Sequence, residues 1–240
     1  LTVFRECVKI MGNEDYIFYG DSFNAPYGVK STEQVYRLSK KIVQRFLKQN
    51  VKAIVIACNT ATSASASRLR KEYPELPIIG LEPALKPAVL HKKNSTVLVM
   101  ATPLTLKEKK FENLMNRFED QAKIIKLPAP DLVEFVERGE IDTPELKKYL
   151  RSILNPYLGN IDAVVLGCTH FPFAKRAIQQ IVGNDVYVVD GGAGAARELR
   201  RLLEAKNERR KEKRIGKIEF LNSNPDPQEI ELSKKLFELD

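Results

Sequence analysis

Val51-Lys52-Ala53-Ile54-Val55-Ile56-Ala57-Cys58-Asn59-Thr60 returns in outline as Ile161-Asp162-Ala163-Val164-Val165-Leu166-Gly167-Cys168-Thr169-His170. Both stretches read apolar, charged, Ala, three apolar residues, one small residue, Cys, then polar side chains. A short aliphatic run, apolar on both faces, suits a buried parallel strand. The copies lie too far apart for a solenoid. They point instead to two similar lobes, each presenting a cysteine at the end of a strand.

Outward from these stretches, short apolar runs predict strands over 16–19, 51–57, 77–81, 96–100, 163–166 and 186–189, with 217–221 a further candidate. Amphipathic stretches predict helices over 1–11, 31–49, 60–73, 105–117, 144–154, 172–182 and 194–205, and a last helix near the end of the chain. Ser31-Thr32-Glu33-Gln34 reads as a capping box. Strands alternating with helices give an α/β fold with parallel sheets, and ligands of such folds bind beyond the carboxyl ends of the strands. The expected architecture is two pseudo-symmetric lobes, each a mainly parallel sheet flanked by helices, with the active site in the cleft between them. Residues 1–84 plus 193–240 form the lobe carrying Cys58, and residues 85–192 the lobe carrying Cys168.

Composition narrows the function. The chain has 240 residues, 43% of them hydrophobic, enough for a packed core and too many for intrinsic disorder. No run approaches the ~20 apolar residues of a membrane span, and no signal peptide is visible. Three widely spaced cysteines argue against a disulfide framework and for a reducing, cytoplasmic setting. The formal charge of +8 comes largely from runs such as Arg209, Arg210, Lys211, Lys213 and Arg214. No aromatic residues interleave with them and no zinc-finger or RNA-binding signature is present, so a solvated surface is expected rather than a nucleic-acid groove.

Each repeated cysteine precedes a predicted helix, where unpaired N–H groups and the helix dipole favour a thiolate. From an ordinary value of about 8.5, a modest push downward makes such a thiol a usable base near neutral pH. Other readings stand beside this one. Cysteine is a common small core residue, which is how Cys7 reads. Cys58, Cys168 and His170 are candidate zinc ligands, though their spacing is not that of a metal site on both arms. A redox disulfide would leave Asn59 and His170 without a role. Two thiols facing each other suit inversion of a carbon centre, where one group removes a proton from one face and the other delivers one to the opposite face. His170 could relay a proton or set the protonation of Cys168.

At these residues the sequence resembles the glutamate racemases, within the aspartate/glutamate racemase superfamily. Ala57-Cys58-Asn59-Thr60-Ala61-Thr62 is similar to the first Cys motif of that family, and Leu166-Gly167-Cys168-Thr169-His170-Phe171-Pro172 to the second. Tyr19-Gly20-Asp21-Ser22 with Pro26-Tyr27-Gly28 resembles its substrate loop, and Glu82-Pro83 with Lys86-Pro87 its interdomain segment. The Thr-His pair after the second Cys is similar to glutamate rather than aspartate racemases. The resemblance implies cofactor-independent, metal-free interconversion of L- and D-glutamate, D-glutamate being needed for peptidoglycan, by a protein that is usually a homodimer. It implies that Cys58 and Cys168 are the acid/base thiols, with His170 assisting Cys168. Substrate contacts would come from Pro26, Tyr27, Gly28, Asn59, Thr60 and Thr169, with Thr102, Thr105 and Glu137 carried over on looser matches. Alternatives are racemisation of aspartate or another acidic substrate, and a catalytically impaired relative that only binds an acidic ligand. Three departures are visible. The family opens with a strand ending in Asp-Ser-Gly, whose Asp assists the first Cys, whereas this chain opens at Leu1 in a predicted helix; the parent protein is expected to contain the missing segment. Ala101 and Pro103-Leu104 replace the usual small residues around Thr102. Pro128-Ala129-Pro130 stands where a Cys is common.

Overall fold

The computed structural model describes residues 1–107 and 109–238. It divides into two compact units, Leu1–Leu81 with Gly192–Asp240, and Glu82–Gly191. Unit one begins with α1 (Thr2–Ile10), β1 (Tyr16–Gly20), α2 (Thr32–Leu47), β2 (Ile54–Ile56), α3 (Asn59–Ala61), α4 (Ser67–Glu72) and β3 (Ile78–Gly80). Unit two contains α5 (Leu85–His91), β4 (Thr96–Ala101), α6 (Pro103–Lys107), α7 (Lys109–Asn116) and β5 (Lys123–Pro128). It continues with α8 (Leu132–Glu137), α9 (Pro144–Leu154), β6 (Ala163–Leu166), α10 (Lys175–Val182) and β7 (Tyr187–Asp190). Unit one is completed by α11 (Gly192–Ala205), β8 (Ile218–Asn222) and α12 (Pro227–Glu238).

Unit two is built on a four-stranded parallel sheet in the order β5-β4-β6-β7. Along β4 and β6 the side chains alternate between two cores. Leu98, Met100, Val164 and Leu166 pack with Leu146, Leu150 and Leu154 of α9 and with Phe171 and Ile178. Val97, Val99, Ala163 and Val165 pack on the other face with Leu85, Ala88 and Val89 of α5. The period of two along the strand and of four along α9 is what a helix–sheet–helix sandwich demands.

Unit one has two parallel pairs, β1 with β8 and β2 with β3. Ile54 and Ile78 face Tyr36, Val43 and Leu69. Val55 and Ile79 face the opposite core, made by Val3 and Cys7 of α1 and by Ala195, Ala196, Leu199 and Leu203 of α11. The capping box is formed as read: Gln34 N donates to Ser31 Oγ, and Ser31 N donates to Gln34 Oε1.

The α/β class and the parallel sheets are those expected. Strand β5 is not among the expected strands, because Lys123, Lys126 and Pro128 break its apolar pattern. Among the described residues it pairs only with β4, and such residues are tolerated at an edge. Short helices α5 and α8 were also missed. The helix expected over 60–73 is divided by a π-type stretch, Thr62–Ala66, in which Ser65 Oγ donates back to Ala61 O. The helix expected over 105–117 corresponds to α6 and α7; Glu108 lies outside the described residues. Among the described residues no helix is long and apolar enough to cross a membrane.

Candidate active site

Parallel strands send all their carboxyl ends to one edge of a sheet, and the candidate residues of each unit lie there. In unit two, Met100 of β4 pairs with Leu166 of β6, so Thr102 and Cys168, each two residues further on, leave the sheet side by side. Gly167 N donates to Met100 O at 2.7 Å. A side-chain carbon at Gly167 would sit 2.9 Å from that same oxygen, so the small residue before Cys168 is a requirement of packing.

The helix expected over 172–182 does not begin as an α-helix. An α-helix would direct the amide four residues on to the Cys168 carbonyl, but that residue is Pro172 and has no N–H. Phe171 N donates to it instead, at 3.2 Å, and a 3-10 turn, Phe171–Ala174, precedes α10. Thr169 and His170 lie between Cys168 and this turn, both half-buried.

His170 Nδ1 lies 3.8 Å from Cys168 Sγ, and its Nε2 lies 3.5 Å from Glu137 Oε1 at the end of α8. Burial alone would lower the His170 pKa. Its hydrogen bonds to Cys168 and Glu137 outweigh that and raise it from 6.5 to about 9. The same hydrogen bond holds the Glu137 carboxyl below its ordinary range. Thiol, imidazole and carboxylate thus form a chain. Beside it, Thr102 Oγ1 and Thr105 Oγ1 are 3.0 Å apart, and Thr105 is buried.

In unit one, Cys58 is the N-cap residue of α3, with Thr62 N donating to its carbonyl at 2.8 Å. Thr62 Oγ1 donates to Ile56 O (3.1 Å) and accepts from Leu81 N (2.9 Å), tying the ends of β2 and β3 around the cysteine. Gly80 leaves room for this threonine, since a side-chain carbon there would collide with Thr62 Cγ2. Asn59 and Thr60 open α3.

The turn Tyr27–Val29 packs against α3. Tyr27 O–H donates to Asp21 Oδ2 at 2.5 Å, and Asn24 Nδ2 donates to Asp21 Oδ1 at 2.9 Å. Burial raises the Tyr27 pKa, reinforced by the bond to Asp21 and by the charges of Asp21 and Cys58. Pro26 follows a cis peptide bond and is exposed, and Gly28 is half-buried. The loop is fastened to β8: Asn222 Nδ2 donates to Ser22 Oγ (2.9 Å), and Phe23 N donates to Ser223 Oγ (3.1 Å).

The structure therefore brings Cys168, His170 and Glu137 together in one unit, with Thr102 and Thr105 adjacent to one another at the same sheet edge. It brings Pro26, Tyr27, Gly28, Asn59 and Thr60 to the neighbourhood of Cys58 in the other. Asp21 stands in the loop motif with no role expected from the sequence, and Asn222, Ser223 and Asp190 lie outside every motif. Each lies at or just beyond the carboxyl end of a parallel strand, which is the signal that could have found them. Asp190 faces Lys175 at 3.8 Å. Among the described residues no group of three or more His, Cys, Asp or Glu side chains is arranged to hold a metal ion.

Residues 2–199 match the family model described as Asp/Glu/Hydantoin racemase. A glutamate racemase from Clostridium perfringens is 48% identical over 240 residues, covering 100% of this chain and 92% of that relative. The crystal structure of Escherichia coli glutamate racemase in complex with L-glutamate and the activator UDP-MurNAc-Ala superimposes with a TM-score of 0.84 at 28% identity, over 98% of this chain and 90% of that one. Glutamate racemase from Francisella tularensis in complex with D-glutamate gives 0.82 at 25% identity, over 100% and 89%. With this likeness over nearly the whole length, and a cysteine at the carboxyl end of a parallel strand in each unit, the chain belongs to the Asp/Glu/Hydantoin racemase family and is an isomerase.

Proposed function

We propose that this chain interconverts L- and D-glutamate without a cofactor, with Cys58 and Cys168 acting on opposite faces of the α-carbon. The observation that carries the reading is the chain Cys168–His170–Glu137. An imidazole whose pKa is raised to about 9 is an imidazolium at neutral pH, and it stands 3.8 Å from the neighbouring sulfur. Cys168, as a thiolate, removes the α-proton of one enantiomer, and Cys58, as a thiol, protonates the opposite face. In the reverse direction the two exchange roles. Asn59, Thr60, Thr169, Thr102 and Thr105 are uncharged donors suited to holding the carboxylates and the developing carbanionic charge without adding a competing negative charge. The loop around Pro26, Tyr27 and Gly28 holds a substrate carboxylate, and Asp21 positions Tyr27.

Glutamate as the substrate is supported by the 48% identity to a glutamate racemase and by the likeness to relatives crystallised with L- and D-glutamate. A cytoplasmic homodimer supplying D-glutamate for peptidoglycan is the corresponding cellular reading. A circular-dichroism assay over glutamate, aspartate and other acidic amino acids tests it. Glutamate is expected to racemise from either enantiomer with kcat/KM at least tenfold above every other compound. Turnover of aspartate in preference to glutamate would contradict the substrate, and binding without turnover would contradict the activity.

A further inference from the structure

The loop joining α11 to β8 holds five cations in six positions, Arg209, Arg210, Lys211, Lys213 and Arg214. Such runs usually stay solvated, but this one is folded and pinned to the loop between α1 and β1. Asn13 Nδ2 donates to the carbonyls of Arg210 (2.9 Å) and Glu212 (3.0 Å). The buried Glu14 carboxylate accepts from Arg210 N (2.7 Å) and Lys52 Nζ (2.6 Å). Asp15 accepts from Lys217 N (2.8 Å), and Gly216 N donates to Gly12 O (2.8 Å). At Gly216 the two backbones approach so closely that a side-chain carbon would collide with the Glu14 carbonyl.

The guanidinium groups are fixed as well. Arg209 pairs with Glu204 (2.8 Å), Arg210 with Asp15 (2.9 Å) and Glu212 (3.4 Å), and Arg214 with Asp15. These contacts shape a basin of about 780 Å³, lined by the segment 209–215 with Asn13, Glu204 and Asn207. Its five cations meet three carboxylates, Asp15, Glu204 and Glu212. Lys211 and Lys213 are exposed and have no ion-pair partner among the described residues. Uncompensated ammonium groups on a fixed frame of arginines are the donor set that phosphate oxygens match.

We infer that this basin binds a compact soluble polyanion carrying two or more phosphate groups. Its concavity suits a small molecule better than a flat lipid surface. No aromatic side chain lines it, so it lacks the stacking platform that single-stranded nucleic acid uses. The inference is independent of the racemase reading.

The test is calorimetric titration of the full chain with tripolyphosphate at low ionic strength. Saturable one-to-one binding is expected, weakened about tenfold in the double variant Lys211→Gln, Lys213→Gln. A control pair, Lys71→Gln with Lys93→Gln, removes the same charge elsewhere and is expected to leave binding within about twofold. No saturable binding, or equal weakening by both pairs, would overturn the site. Parallel arms use phosphatidylglycerol vesicles and a single-stranded oligonucleotide. Binding of either that requires Lys211 and Lys213, with no response to tripolyphosphate, would also overturn it.

Discussion

Cys58 and Cys168 end the two copies of one strand motif, yet their surroundings differ in kind. After Cys58 the chain enters a helix at once, with the cysteine carbonyl bonded to the amide four residues on. After Cys168 the amide at that position is missing because the residue is Pro172, and the chain makes a turn first. The turn sets His170 against the sulfur and within reach of Glu137. The Cys58 side has no imidazole. Its neighbour is a phenol held by a carboxylate, Tyr27 on Asp21. The strand motif fixes where each sulfur sits, and the residues immediately after it decide which charge it meets.

Replacing either sulfur is the strongest way to break the comparison. Cys58→Ser and Cys168→Ser are each expected to lower kcat for racemisation by about 10³-fold or more, at the upper range of general acid–base effects. Robust racemisation by one of them would make that cysteine a core residue.

Removing the asymmetry itself comes next. His170→Asn is expected to lower kcat/KM by about 10- to 100-fold. The loss must be equal in both directions, because the equilibrium constant of a racemisation is one. Glu137→Gln is expected to cost about tenfold and to lower the His170 pKa from about 9, since burial is then opposed only by the hydrogen bond to Cys168 and by its charge. Proton NMR of the imidazole resonances reads this directly, with His91 as the only other histidine. A His170 pKa unmoved by Glu137→Gln would remove the carboxylate from the chain.

Smaller effects sharpen the other side. Tyr27→Phe deletes the bond to Asp21 and should raise KM about threefold with kcat nearly unchanged, as expected for loss of one positioning hydrogen bond. The smallest effect is on stability. The raised His170 pKa stabilises the fold fully below 6.5, and that contribution is lost as pH rises through about 9. The lowered Glu137 pKa contributes above its ordinary value of 4.5 and is lost as pH falls through the depressed one. Both side chains are partly exposed, so less than about 1 kcal/mol is expected. Urea unfolding against pH should show the alkaline decline in the parent chain and a shallower one in His170→Asn.

The parts of the fold that sequence reveals are those whose burial is two-sided. Strands β4 and β6 have almost every side chain buried, and their apolar runs stand out. Edge strand β5 has water on its flank, and its lysines and proline hide it. In the candidate site, Cys58, Cys168 and His170 are legible because the motif repeats. The effect of Pro172 was equally visible in the sequence and needed only the question of which amide would bond the Cys168 carbonyl. Asp21 became meaningful only when the loop folded back to give it Tyr27 as a partner. The basic run at 209–214 reads as solvated because the groups that hold it, Asn13, Glu14 and Asp15, are nearly the whole chain away, 196 residues in the case of Arg210 and Glu14.

Whether two thiols work on opposite faces of one α-carbon is read by racemising a single glutamate enantiomer in deuterated water. At early turnover the product is expected to carry deuterium at the α-carbon while the remaining substrate keeps its original hydrogen, because the donor on the far side draws its proton from solvent. Product that retains the original hydrogen, or an α-position that never exchanges, would rule out proton delivery by a second thiol on the far face.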